Sequence, residues 1–144
     1  MPTLPRDPLT PAQRMRILET LDALRDRLGP VALLFYGRLF ELDPSARRLF
    51  HIDLALQSRK IMDTLDSIAR SLDHFDALSE RLMELGRQHA SYGVKPEQYE
   101  TVTKALMWAF AQALGPDFDR PTREAWALTL GRVCDEMKRG ASAI

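Results

Sequence analysis

Leu78-Ser79-Glu80-Arg81-Leu82-Met83-Glu84-Leu85-Gly86-Arg87-Gln88-His89 is the stretch on which the reading of this chain turns. Leu78, Leu82, Leu85 and His89 recur at steps of four, three and four, so one face of a helix carries three leucines and then a histidine. An imidazole does not sit in an oily core without a partner. Taken alone, a histidine on an apolar helix face is more often a satisfied core residue than a ligand. Its neighbours in the sequence carry the decision.

Two other inward stripes hold a polar residue. Gln57 stands four residues before Ile61, on a stripe that continues through Leu65, Ile68 and Leu72. Tyr36 adds a phenol to a stripe with Leu33 and Phe40. Each has a plain explanation: a glutamine that begins a stripe is usually a half-exposed boundary residue, and a tyrosine among leucines is usually core with its hydroxyl at the surface. One cofactor held between these helices would give all three polar groups a partner. Periodicity by itself leaves a cofactor-binding protein and a helical interaction domain both open.

Every periodic segment is helical. Thr10-Pro11-Ala12-Gln13 reads as a capping box with proline at the first helical position, followed by Ile17, Leu21, Leu24 and Leu28 on one face. Gly29-Pro30 is expected to break that helix, with a second running from about Val31 to Leu42. Asp43-Pro44 starts a short piece ending near Phe50, and Leu54 to Leu72 carries the Gln57 stripe. Gly93 allows a turn. Pro96 begins a long helix lined by Val102, Leu106, Phe110 and Ala113, which Gly115-Pro116 ends. Pro121 opens the last helix, with Trp126, Leu130, Val133 and Met137 inward. No segment alternates with period two. The expectation is an all-α single domain over 1–144 with six or more helices, residues 1–9 forming an extended or disordered N-terminal segment.

Composition narrows the function. The 144 residues are 45% hydrophobic, which suffices for a core, and carry 20 basic and 20 acidic side chains. A neutral surface gives no footprint for nucleic acid or anionic lipid. The most apolar run, Val31 to Tyr36, is far too short to span a membrane, and the first residues have no apolar signal-peptide core. Cys134 is the only cysteine, which fits a reducing compartment and makes the cytoplasm the expected location. Three histidines and one cysteine do not form a zinc pattern, and His51 and His74 fall near helix ends, as surface residues do. Arg59-Lys60 reads as a solvated face. No Cys-x-x-Cys-His, glycine-rich phosphate loop or HExxH motif occurs.

From about Leu9 to Lys138 the chain resembles a globin. Leu33-Leu34-Phe35-Tyr36-Gly37-Arg38-Leu39-Phe40 resembles the second helix of that family. Ala46-Arg47-Arg48-Leu49-Phe50 resembles the segment ending in the haem-stacking phenylalanine, and Gln57-Ser58-Arg59-Lys60-Ile61-Met62 the distal helix. Leu85-Gly86-Arg87-Gln88-His89 with Tyr92-Gly93-Val94 resembles the proximal segment. Leu114-Gly115-Pro116 and Thr122-Arg123-Glu124-Ala125-Trp126 look neuroglobin-like. The pairing of a tyrosine with a glutamine is similar to bacterial single-domain globins of the Hell's Gate type.

The resemblance implies a three-over-three helical sandwich with non-covalent haem b. It implies His89 as the proximal iron ligand, neutral, with its other ring nitrogen donating to a carbonyl near Leu85. Phe50 would pack on the porphyrin, Gln57 and Tyr36 would face the gas, and Ile61 would form an apolar wall. Val94, Tyr99 and Val102 would line the proximal side, and Lys60 or Arg59 would pair with a propionate. Bound oxygen gathers negative charge, so each donor aimed at it would contribute roughly 1.5–3 kcal/mol, about ten- to a hundred-fold in affinity. Two departures stand out. Leu21 occupies a place where many globins have tryptophan, and Ala141 aligns where Vitreoscilla-type haemoglobins and flavohaemoglobins place a glutamate beside the tyrosine matched by Tyr99. The second departure weakens the case for an electron-rich proximal side. The implied function is reversible binding of oxygen as store, carrier or scavenger, with carbon monoxide and nitric oxide as further ligands. Nitric oxide dioxygenation with a separate reductase is the enzymatic alternative, and a gas-sensing or haem-free interaction module the third.

Overall fold

The computed structural model describes residues 9–49 and 54–142, with backbone alone at 54, 55, 57 and 58. Six helices follow in order: α1 Pro11–Leu24, α2 Leu28–Leu42, α3 Leu54–Arg70, α4 Phe75–Ser91, α5 Pro96–Leu114 and α6 Arg120–Ser142. No strand occurs among the described residues. Phe50 and His51 lie outside them.

Local chemistry sets most of the boundaries. Thr10 Oγ1 accepts from Gln13 N at 3.1 Å while Gln13 Oε1 accepts from Thr10 N at 3.0 Å, the reciprocal cap expected of that tetrapeptide. Pro96 stands at the first position of α5, and Gln98 Oε1 accepts from Lys95 N at 2.8 Å. Asp119 caps α6 through Oδ1, which accepts from Thr122 N at 3.0 Å. Hydrogen bonds from Thr122, with Arg16 close by, hold the Asp119 carboxyl below the usual carboxylate range. Gly115, with φ of 56°, lets the chain leave α5 in a conformation that side chains resist.

Two expectations are corrected. Gly29-Pro30 does not break a helix; the break is the 3₁₀ turn Arg25–Arg27, and α2 has already begun at Leu28. Proline in the first helical turn gives up only an N–H that has no intrahelical acceptor, so it is tolerated there. Leu33 does not share the inward face with Tyr36, being 65% exposed. The buried face is Val31, Ala32, Phe35, Tyr36 and Leu39, because α2 packs against both α5 and α3. At 100° per residue Leu33 lies roughly 130° from the centre of that face.

The helices stack as a three-over-three sandwich, in which α4 packs on α6, α2 on α5 and α3, and α1 on α6 and α3. Leu9 is buried in the core and its carbonyl accepts from Arg14. Trp126 of α6 and Phe110 of α5 approach to 4.8 Å between ring centroids, and Phe118 meets Phe110 edge-on. Each such large apolar side chain contributes roughly 1.5–3 kcal/mol on burial.

α4 on α6 is the most extensive helix contact, and two glycines make it close. A Cβ on Gly86 would overlap the Met137 carbonyl, and one on Gly140 would overlap the Met83 carbonyl. The two backbones therefore touch reciprocally, three residues before His89.

Candidate functional site

The Leu78–Leu82–Leu85–His89 face forms as the spacing predicts. Leu78 and Leu82 are buried, while Leu85 and His89 are half-buried. His89 Nδ1 donates to the Leu85 carbonyl at 2.8 Å, one turn back on its own helix. In neutral imidazole that leaves Nε2 unprotonated, with its lone pair available to a metal. The turn after α4 returns against the same residue, because Val94 N donates to the His89 carbonyl at 3.0 Å. Gly93 takes φ of 95° to make that turn.

Tyr99 closes the group from α5. Its ring lies 6.5 Å from the His89 ring between centroids, inclined by 30°. Its hydroxyl is buried and, among the described residues, has no hydrogen-bond partner. Burial, and to a lesser degree Cys134, push the phenol up from its ordinary value, so Tyr99 stays a neutral donor. Cys134, on α6, contacts Thr103 Oγ1 at 3.4 Å and is also pushed up by burial, which keeps it a thiol.

Leu85, His89, Val94 and Tyr99 are thus brought together directly, and Val102 follows Tyr99 by three residues on α5, half-buried. Tyr36, Ile61 and Lys60 come from α2 and α3, which pack on each other. Tyr36 is only 2% exposed, with its ring 5.1 Å from Phe35 and 6.0 Å from Phe40. Ile61 is half-buried, and Arg59 and Lys60 are exposed. Gln57 lies on the first turn of α3, its side chain outside the described atoms, and Phe50 lies outside the described residues altogether. A cavity of about 330 Å³ separates α3 from α4, walled by Ile68, Leu78, Leu82 and Leu85. Arg81 reaches across it to donate to Ser67 Oγ at 2.9 Å.

The donor set suits haem. Among the described residues no three His, Cys, Asp or Glu side chains gather as an ion cage. A single imidazole with one free nitrogen, among half-buried apolar side chains, fits a metal already held by four equatorial donors. Gly86 and Gly140 were not legible as packing residues. Their signal in the sequence is small residues one turn from inward Leu82 and Met137, which is visible only once the two helices are paired.

The globin family model matches residues 33–137. The chain is 30% identical to the neuroglobin of Tetraodon nigroviridis over 133 residues, covering 83% of this chain and 84% of that protein. It is 28% identical to neuroglobin-1 of Oncorhynchus mykiss, covering 92% of each. Among solved structures, a hexacoordinated haem protein from an anhydrobiotic tardigrade superposes with a TM-score of 0.83 at 18% identity, covering 97% and 99% of the two chains. An engineered carbene transferase made from a candidate nitric oxide dioxygenase of Rhodothermus marinus superposes with a TM-score of 0.81 at 25% identity, covering 94% of each.

Proposed function

The chain belongs to the globin family, and from that premise we propose that it is a haem b protein of the bacterial single-domain type that binds oxygen reversibly, with His89 on the iron. The observation that carries the reading is the His89 Nδ1–Leu85 carbonyl bond, which fixes the tautomer and points the free nitrogen away from its own helix. Haem held by His89 would supply an iron atom able to bind a diatomic gas. The chain's own residues then do the selecting. Leu85, Val94 and Val102 give the proximal side an apolar lining, and Ile61 does the same on α3. In this reading Tyr36 and Gln57 would be the hydrogen-bond donors to the gas and Phe50, outside the described residues, would pack on the porphyrin. Lys60 or Arg59, solvated at the mouth, pairs with a propionate. The single thiol suits a cytoplasmic setting.

Removing one donor, by Gln57→Leu or Tyr36→Phe, is expected to speed oxygen release by roughly ten- to a hundred-fold. Carbon monoxide, which gathers less charge, is expected to respond much less. The donors share one ligand, so the double variant measures their coupling. Stopped-flow release of both gases is the test, and parent-like oxygen release in all three variants sinks polar stabilisation.

A second reading is nitric oxide dioxygenation with a separate reductase. The likeness to the Rhodothermus marinus protein favours it. Turnover of nitric oxide with a reductant separates the two, since a passive carrier stops after one equivalent.

A further inference from the structure

We propose that Glu136, together with the close contacts at Gly86 and Gly140, sets the register of α4 on α6 and so positions the helix that carries His89. The consequence for iron rests on the reading of His89 given above; the mechanism rests on geometry alone. Phe75, Ser79 and Met83, each four residues apart on α4, meet Arg132, Glu136 and Gly140, also four apart on α6. The Arg132 guanidinium lies 4.9 Å over the Phe75 ring. Ser79 Oγ donates to Glu136 Oε2 at 2.7 Å. The Met83 carbonyl fills the space that a Cβ on Gly140 would take. These three pairs advance together along the two helices, and the reciprocal contact of Gly86 with the Met137 carbonyl lies beside them where the backbones touch.

A cation over a ring tolerates sliding, whereas the glycine contact and the hydrogen bond do not: a one-turn slip would bring the Cβ of Glu136 against the Met83 carbonyl and leave Ser79 without its acceptor. A slip of one turn would face Ser79 with Arg132 or Gly140, and would set the Glu136 carboxylate against Phe75 or Met83. Glu136 is 2% exposed, so the lost partner would not be replaced by bulk water. Its remaining partner, Arg139, sits on the same helix and moves with it. A buried carboxylate is a poor source of net stability, because apolar residues of similar size often serve as well. What it adds is a penalty on wrong registers, and one-turn slips are an elementary mode of helix rearrangement. His89 follows these contacts on α4, so the same register fixes its ring against Tyr99 of α5.

The test is amide hydrogen exchange of the haem-loaded protein, with the iron–histidine stretching band recorded on the same samples. In Glu136→Leu and Ser79→Ala, α4 amides are expected to exchange about ten-fold faster or more while α1 and α5 hold, and the band to shift or broaden. Glu136→Gln, whose side-chain carbonyl still accepts from Ser79, is expected to restore both. Arg139→Ala, which removes the guanidinium bonded to the buried carboxylate, is expected to lower stability without shifting the band. Faster exchange spread evenly over all helices, or α4 exchange in Ser79→Ala equal to the parent, overturns the proposal, even if Glu136→Leu fails to fold. A His89→Ala protein that keeps the parent's haem and band overturns the His89 reading alone, and the exchange pattern then decides the register by itself.

Discussion

At the scale of single residues the site depends on which polar groups have partners. Tyr99 keeps a buried hydroxyl that nothing described accepts, and an unmade hydrogen bond costs about 1–3 kcal/mol. Tyr99→Phe is therefore expected to leave the haem-free protein as stable or to raise its stability by up to about that amount. Thermal unfolding checks it, and a clear loss of Tm would mean that the hydroxyl is satisfied. Lys60 belongs to the same scale. It lies three residues beyond Gln57 and is exposed, so to reach iron it would have to leave water and give up its proton. An amide is a poor iron ligand, and ferrous protein without gas is expected to be mainly five-coordinate. A six-coordinate low-spin spectrum that vanishes in Lys60→Ala contradicts that.

At the scale of helices, α4 is positioned by absent side chains as much as by present ones. Gly86→Ala would drive a methyl group into the Met137 carbonyl. The expected cost is about 1–3 kcal/mol, as for other overpacked sites, with weaker haem retention because His89 is three residues on. Chemical denaturation with and without haem measures both. Asp119 acts at the start of α6. Its carboxyl is held low in the folded protein, so its contribution is present above the ordinary aspartate value of about 3.9 and fades as pH falls through the folded value. Asp119→Ala is expected to lower Tm at neutral pH and to flatten the acid limb of the stability profile; a parent-like acid limb refutes the assignment. Helix ends with reciprocal caps, such as Thr10 with Gln13, were legible because the chemistry is local. The Gly29-Pro30 reading failed because the same dipeptide can stop a helix or sit inside its first turn, and only the packing of α2 on α5 selects between them. Leu33 failed for a related reason, since a stripe read within one helix does not know that two neighbours cover it.

At the scale of the whole molecule, the packing of α4 on α6 and of α2 on α5 and α3 holds the His89 imidazole with its Nε2 free in the neutral ring. The order of the helices and the inward place of His89 and Tyr36 were legible, because each stands out against an apolar period, whereas Tyr99 was reached only through the resemblance. Glu136 and Ser79 were not, since both read as ordinary exposed positions until α4 and α6 are paired across 57 residues of sequence. Haem that binds only the folded chain also adds to its stability, by an amount that grows with occupancy. Haem occupancy is expected to depend on His89. The most direct measurement is the visible absorption spectrum of the purified parent and of His89→Ala, ferric, ferrous and with carbon monoxide. The parent should carry a Soret band at stoichiometric haem, and His89→Ala should lose haem or hold it weakly and melt like the haem-free chain. A His89→Ala protein with full haem and an unchanged ferrous spectrum would contradict the account.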